Sequence, residues 1–159
     1  MADELSQIKS PTAADFTAAL GQVAGKVLET MFFTEAVVAP CEHSWFSSAV
    51  NVQVGFNGSH CGAMRMAVSE EAVAPLASSF LGLDSEEARE SEKSQVILEL
   101  ANIVCGAVLS SLWPESKLLL DAPQLAPPSG LEEGWHCCLE LPEGRVAISI
   151  RLDGVVESA

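Results

Sequence analysis

Residues 95–113 read QVILELANIVCGAVLSSLW, and the interpretation of the whole chain turns on this stretch. At 3.6 residues per turn, Gln95, Glu99, Asn102, Gly106 and Ser110 gather into one narrow stripe of a helix. Val96, Ile97, Leu98, Ile103, Val104, Val108, Leu109 and Leu112 cover most of the remaining circumference. Two accounts fit this pattern: the stripe is the thin wet edge of a buried helix, or it is a functional face. Gly106 separates them in part. A mid-helix glycine costs roughly 1 kcal/mol against alanine, so its place one turn beyond Asn102 implies a close approach by another backbone or by a partner.

The rest of the chain limits what such a face could do. With 159 residues it has the length of one domain, able to bury about 70% of its unfolded surface without a metal or disulfide. The expected extent is a single domain over 1–159, with a core at about 11–153. The formal charge of −14 repels phosphate backbones and anionic lipid, so neither nucleic acid nor membrane is an expected partner. The opening MADELSQIKS lacks the charged-then-apolar order of a leader, and Glu99 and Asn102 interrupt the most apolar helix, so a cytoplasmic location is expected.

Cys41, Cys61, Cys105, Cys137 and Cys138 are odd in number and contain no C-x-x-C pair, which favours core thiols over a disulfide framework. Each histidine lies beside a cysteine, in CEH (41–43), HC (60–61) and HCC (136–138). Adjacent side chains of a strand point to opposite faces, so HC and HCC do not offer neighbouring ligands to one ion without a bulge, and no metal site is expected.

Outward from 95–113 the elements follow by periodicity. Ser10-Pro11 reads as an N-cap and first helical position, and Phe16, Leu20, Val23, Val27 and Met31 recur at helical spacing, giving a helix over about 11–32. Its small residues Ala14, Ala18, Gly21 and Gly25 imply close packing on a neighbour. EAVVAP and KLLLD read as short strands. Val50, Val52, Val54 and Phe56 alternate towards a tight turn at Asn57-Gly58, and Met64, Met66 and Val68 return as the second arm of a hairpin. EEAVAPLASSFLG is a short helix stopped by Gly82. Asp84 or Ser85 would cap a long helix over about 86–113, ended by Pro114. APQLAPPSGLEEG reads as a loop, and WHCCLEL with RVAISIRL forms a second hairpin around PEG.

The order helix, strand, hairpin thus occurs twice. VAGKVLETMF from Val23 lies over VCGAVLSSLW from Val104, Gly25 meeting Gly106 at an offset of 81; Met66 meets Ile148 at an offset of 82. In this register Ala18 and Gly21 stand where the second copy has Glu99 and Asn102, so any chemistry of that pair exists once.

ELANIVCG resembles the signature of the CheC/CheX/FliY group of chemotaxis phosphatases, a helix with Glu, Asn three positions on, and Gly four beyond: Glu99, Asn102 and Gly106 match. GAMRMAVSEEAVAPLASSFLG is also similar to the strand and helix preceding that signature in CheX-type domains, and the resemblance covers about residues 13–152. Gln95 departs from the Asp or Ser that the family often has there. The resemblance implies an α/β (α+β) fold of two pseudo-symmetric halves, with two long helices side by side on an antiparallel sheet, and a single site as in the CheX type. It implies dephosphorylation of a phosphorylated CheY-like response regulator whose aspartyl phosphate and magnesium belong to the partner, this chain binding no cofactor. Asn102 would orient the attacking water and Glu99 would meet a lysine of the regulator, with Gln95, Gly106 and Ser110 extending the contact. CheX-type relatives pair as dimers, and 48% hydrophobic residues leave apolar surface to cover, so a homodimer joined through the hairpin edges is expected. The competing readings are a non-catalytic binding or dimerisation module of the same fold and a metal-dependent hydrolase. An inert copy would have little reason to hold Glu99 and Asn102 on an apolar helix.

Overall fold

The two alternating segments expected to pair do so. In a computed structural model that describes residues 12–41, 44–82, 89–128 and 134–153, Val50–Gly58 (β2) and Cys61–Val68 (β3) run antiparallel with Val52 opposite Met66. The turn is not at Asn57-Gly58. Phe56 pairs with Gly62, while Asn57 and Gly58 continue the strand by pairing with Leu119 and Leu118 of Leu118–Leu120 (β4). Gly58 (φ 133°) is needed there because a Cβ would strike the Lys117 carbonyl oxygen. A neighbouring strand thus outweighs the local turn signal.

Trp135–Leu141 (β6) and Gly144–Asp153 (β7) form the second hairpin, and β7 lies beside β3. With Val37–Ala39 (β1), the strand order is β1-β6-β7-β3-β2-β4, and Gln124–Leu125 (β5) also pairs with β2. Exchanging β1 with β4, β6 with β2 and β7 with β3 reverses this order without changing it, the pattern a pseudo-two-fold axis gives. Met66 pairs with Ile148, its own counterpart at the repeat offset, so the axis passes between them. The expected hairpin edges are not edges: β1 covers β6, and β4 and β5 cover β2. Residues 124–125 of the expected loop form β5, where Leu125 is 59% exposed and lacks the buried face that would betray a strand.

Among the described residues, three α-helices lie on one face of the sheet: Ala13–Met31 (α1), Glu70–Leu81 (α2) and Glu90–Leu112 (α3). Thr12 caps α1, which begins at Ala13, as Thr12 Oγ1 accepts from the Asp15 N–H (3.2 Å) and Asp15 Oδ2 accepts from the Thr12 N–H (2.9 Å). Ser10 and Pro11 lie outside the described residues. So do Asp84 and Ser85; α3 starts at Glu90, its first turn closed by Glu92 Oε1 accepting from the Arg89 N–H at 2.9 Å. Phe16, Leu20, Leu76, Leu100 and Val104 bury against Met64, Met66, Ile148 and Ile150, each worth about 1.5–3 kcal/mol. α3 is long and apolar enough to cross a membrane, but here it is a core helix.

The opposite face carries small residues, Ala67, Ala147 and Cys138, under Phe46, Trp45 and Cys41. Here one cysteine expectation fails: Cys41 and Cys138 form a disulfide, their Cα atoms 5.2 Å apart. Strand pairing places Ala39 opposite Cys138, and the chain needs only two more residues to bring Cys41 alongside. A bridge between residues 97 apart has no local motif.

Candidate functional site

α3 owes its place to the residues it buries. Val96, Ile97, Leu100, Ala101, Val104, Cys105, Val108 and Leu109 face the sheet and neighbouring helices. This turns the stripe opposite them outward: Gln95, Glu99 and Ser110 are exposed, Asn102 and Gly106 half-buried. All five residues singled out from the sequence therefore share one face, which runs about 22 Å at 1.5 Å per residue.

Glu99 and Asn102 are neighbours on this surface, one turn apart, with Cβ atoms at about 5–6 Å. Among the described residues neither side chain has a hydrogen-bond partner. A carboxylate that only accepts thus stands beside an amide that both donates and accepts, with both groups uncommitted. Gly106 meets no backbone: an added Cβ would find only Leu120 Cδ1 at an ordinary 3.6 Å. Packing among the described residues does not require this glycine.

Two recesses flank the stripe. Towards the start of α3, Phe80, Leu81, Glu92, Gln95, Val96 and Glu99 line an apolar groove of about 370 Å³. Towards its end, Gly106, Ser110, Trp113, Leu118 and Leu120 line a smaller one of about 160 Å³. The sequence reading missed Phe80 and Leu81. The available signal was FLG: two large apolar residues immediately before a helix-ending Gly82, which is left-handed at φ 71°.

The other candidates separate. Burial pushes the Cys105 thiol up to about 12 and raises that of Cys137, so both stay protonated. Cys61 is exposed, and His60 stacks on Trp113 at 4.0 Å between ring centroids. No group of three His, Cys, Asp or Glu residues able to hold a metal occurs among the described residues. Of the small stripe on α1, Ala14 and Ala18 are exposed, and Gly21 alone meets a close neighbour, the sheet rather than a helix.

Solved structures of chemotaxis proteins share this fold. CheX from Vibrio vulnificus is similar at a TM-score of 0.71 and 19% identity, covering 91% of this chain and 100% of the other. A CheX–CheY–BeF3–Mg complex from Borrelia burgdorferi matches at 0.64 and 15%, covering 87% and 97%. A CheC-like superfamily protein from Shewanella sp. PV-4 matches at 0.68 and 18%, covering 87% and 97%. These likenesses establish the fold. A search of curated proteins found no match. The family model described as chemotaxis phosphatase CheX matches residues 50–138, which run from β2 through the whole of α3 into β6. That span is more than half of the 159 residues, and the chain belongs to the CheX family of chemotaxis phosphatases.

Proposed function

We propose that this protein accelerates hydrolysis of the aspartyl phosphate of a CheY-like response regulator. The observation that carries the reading is the uncommitted pair Glu99 and Asn102 on the outward stripe of α3, inside the family match. The Asn102 amide accepts a hydrogen bond from a water and holds it in line with phosphorus, with its N–H free for a phosphoryl oxygen or the water itself. Glu99 accepts a charge-assisted hydrogen bond from a lysine of the regulator, fixing how the helix lies over the phosphoryl group. This chain supplies no nucleophile and binds no cofactor; magnesium, held by the regulator, neutralises the phosphoryl oxygens. Water attacks phosphorus, the aspartate oxygen leaves, and inorganic phosphate departs. A hundredfold acceleration needs about 2.7 kcal/mol, which alignment of one water can supply. Gln95, Gly106 and Ser110 complete the docking face, Gly106 by leaving the regulator's backbone room.

The whole chain, 1–159, acts as one cytoplasmic CheX-like domain. Copies pair through β1, an outer strand whose Val38 is 62% exposed. The test is phosphate release from phosphorylated CheY-like receivers of the same organism, with and without this protein. Accelerated decay of at least one receiver, abolished when magnesium is chelated, is expected; unchanged decay of every receiver defeats the reading.

A further inference from the structure

The groove at the start of α3 has no part in the chemistry described, yet it shares Glu99 with the site. Phe80 and Leu81, 36% and 37% exposed, end α2 and form its apolar wall. Phe80 is fixed from behind, its ring stacked on the fully buried Phe32 at 4.9 Å between centroids. An aromatic ring held on one face and open on the other loses little conformational entropy when something packs against it. Glu92 and Glu99 make the rim acidic.

We infer that this groove is a specificity site that receives an apolar side chain of the response regulator, flanked by one of its cationic residues. The inference rests on the reading proposed above, and geometry names the occupant. Gln95, on the groove's lining, lies seven residues from Asn102, about 10 Å along the helix. A stable interface buries about 800 Å² per partner, a disc of radius about 16 Å. Any folded regulator that brings a phosphoryl group to Asn102 therefore covers the groove. An apolar anchor meets Phe80 and Leu81, a lysine or arginine beside it meets Glu92, and a regulator with an acidic residue at that place is rejected by charge. Asn102 and Glu99 read what every phosphorylated receiver shares; the groove reads what distinguishes one receiver from another.

The test uses Leu81→Lys, which sets a cation at a helix C-terminus, where the dipole tolerates it, and fills the groove with charge. Phe80→Ala is the second variant, beside thermal melts because it loosens Phe32. The full chain is titrated with receivers loaded with beryllofluoride and magnesium, and phosphate release is measured against receiver concentration. For Leu81→Lys, Kd and KM should rise about tenfold or more, the equivalent of about 1.4 kcal/mol, with kcat retained. The discrimination between receivers should narrow in Phe80→Ala. Kd and KM within about twofold of wild type in both folded variants would overturn the groove while leaving the activity intact. Receivers that bind wild type, lose binding to Leu81→Lys, and are never dephosphorylated faster would uphold the groove and overturn the phosphatase reading.

Discussion

The two halves of this molecule offer the same helix to opposite ends of one sheet, and only one half carries a candidate site. In the repeat register Glu99 and Asn102 of α3 stand where α1 has Ala18 and Gly21. The difference is one of cover as well as residue type. A Cβ on Gly21 would come within 3.1 Å of Val38 Cγ2 and 3.2 Å of Cys137 Sγ, so β1 and β6 close the position. Asn102 is half-exposed, and four residues on, Gly106 has nothing nearer than Leu120 at 3.6 Å. Duplication supplies the scaffold twice; a site requires a stripe that the neighbouring strand leaves open.

The largest expected effect concerns the buried side of the comparison. Cys105 occupies the place of Ala24, both fully buried, and its thiol is pushed up from an ordinary 9.0 to about 12. Folding favours the protonated thiol, so that stabilisation is complete below pH 9.0 and is lost as pH rises towards 12. The slope reaches at most about 1.4 kcal/mol per pH unit. Denaturant titrations of wild type and Cys105→Ala between these limits should show the alkaline decline reduced in the variant; parallel curves would deny the buried thiol its role.

Next in size is Gly21→Asn, which asks α1 to imitate α3. Overpacking against Val38 and Cys137 should destabilise by about 1–3 kcal/mol, lower the melting temperature and add no second activity. A stable variant with added turnover would mean that β1 yields, and that cover does not decide where the site lies. Glu99→Ala should weaken binding of a beryllofluoride-loaded receiver about tenfold, about 1.4 kcal/mol, with the deficit shrinking as salt rises. A deficit unaffected by salt would point to packing instead of a lysine contact. Smallest is the effect of Gly106→Ala on stability. The methyl fits beside Leu120, so the unfolding free energy should hold or rise, by no more than about 1 kcal/mol, while receiver binding falls. Retained binding would remove the only reason left for a glycine there.

What the sequence disclosed, and what it concealed, divides along local and long-range physics. The alternation of Met64, Met66 and Val68, the period of Phe16, Leu20 and Val27, and the polar stripe of α3 are written within single elements, and each appears as read. The β5 pairing of Leu125, the displacement of the turn past Gly58, and the cover of both hairpins by β1, β4 and β5 depend on which strands meet. The Cys41–Cys138 bridge depends on the β1–β6 register in the same way. For the candidate site, the stripe was legible because helical spacing alone gathers it. Phe80 and Leu81 were not, because they reach Glu99 only through the packing of α2 against α3.

The central claim, that Asn102 acts by aligning water in the transition state, is tested most directly by Asn102→Ala. Phosphate release should be followed at saturating phosphorylated receiver, and binding of the beryllofluoride-loaded form measured alongside. Acceleration should fall by about a hundredfold, about 2.7 kcal/mol. The dissociation constant should stay within about twofold and the unfolding free energy within about 0.5 kcal/mol of wild type, because the lost interaction forms chiefly in the transition state. Undiminished turnover in a folded, binding-competent Asn102→Ala protein would contradict the account.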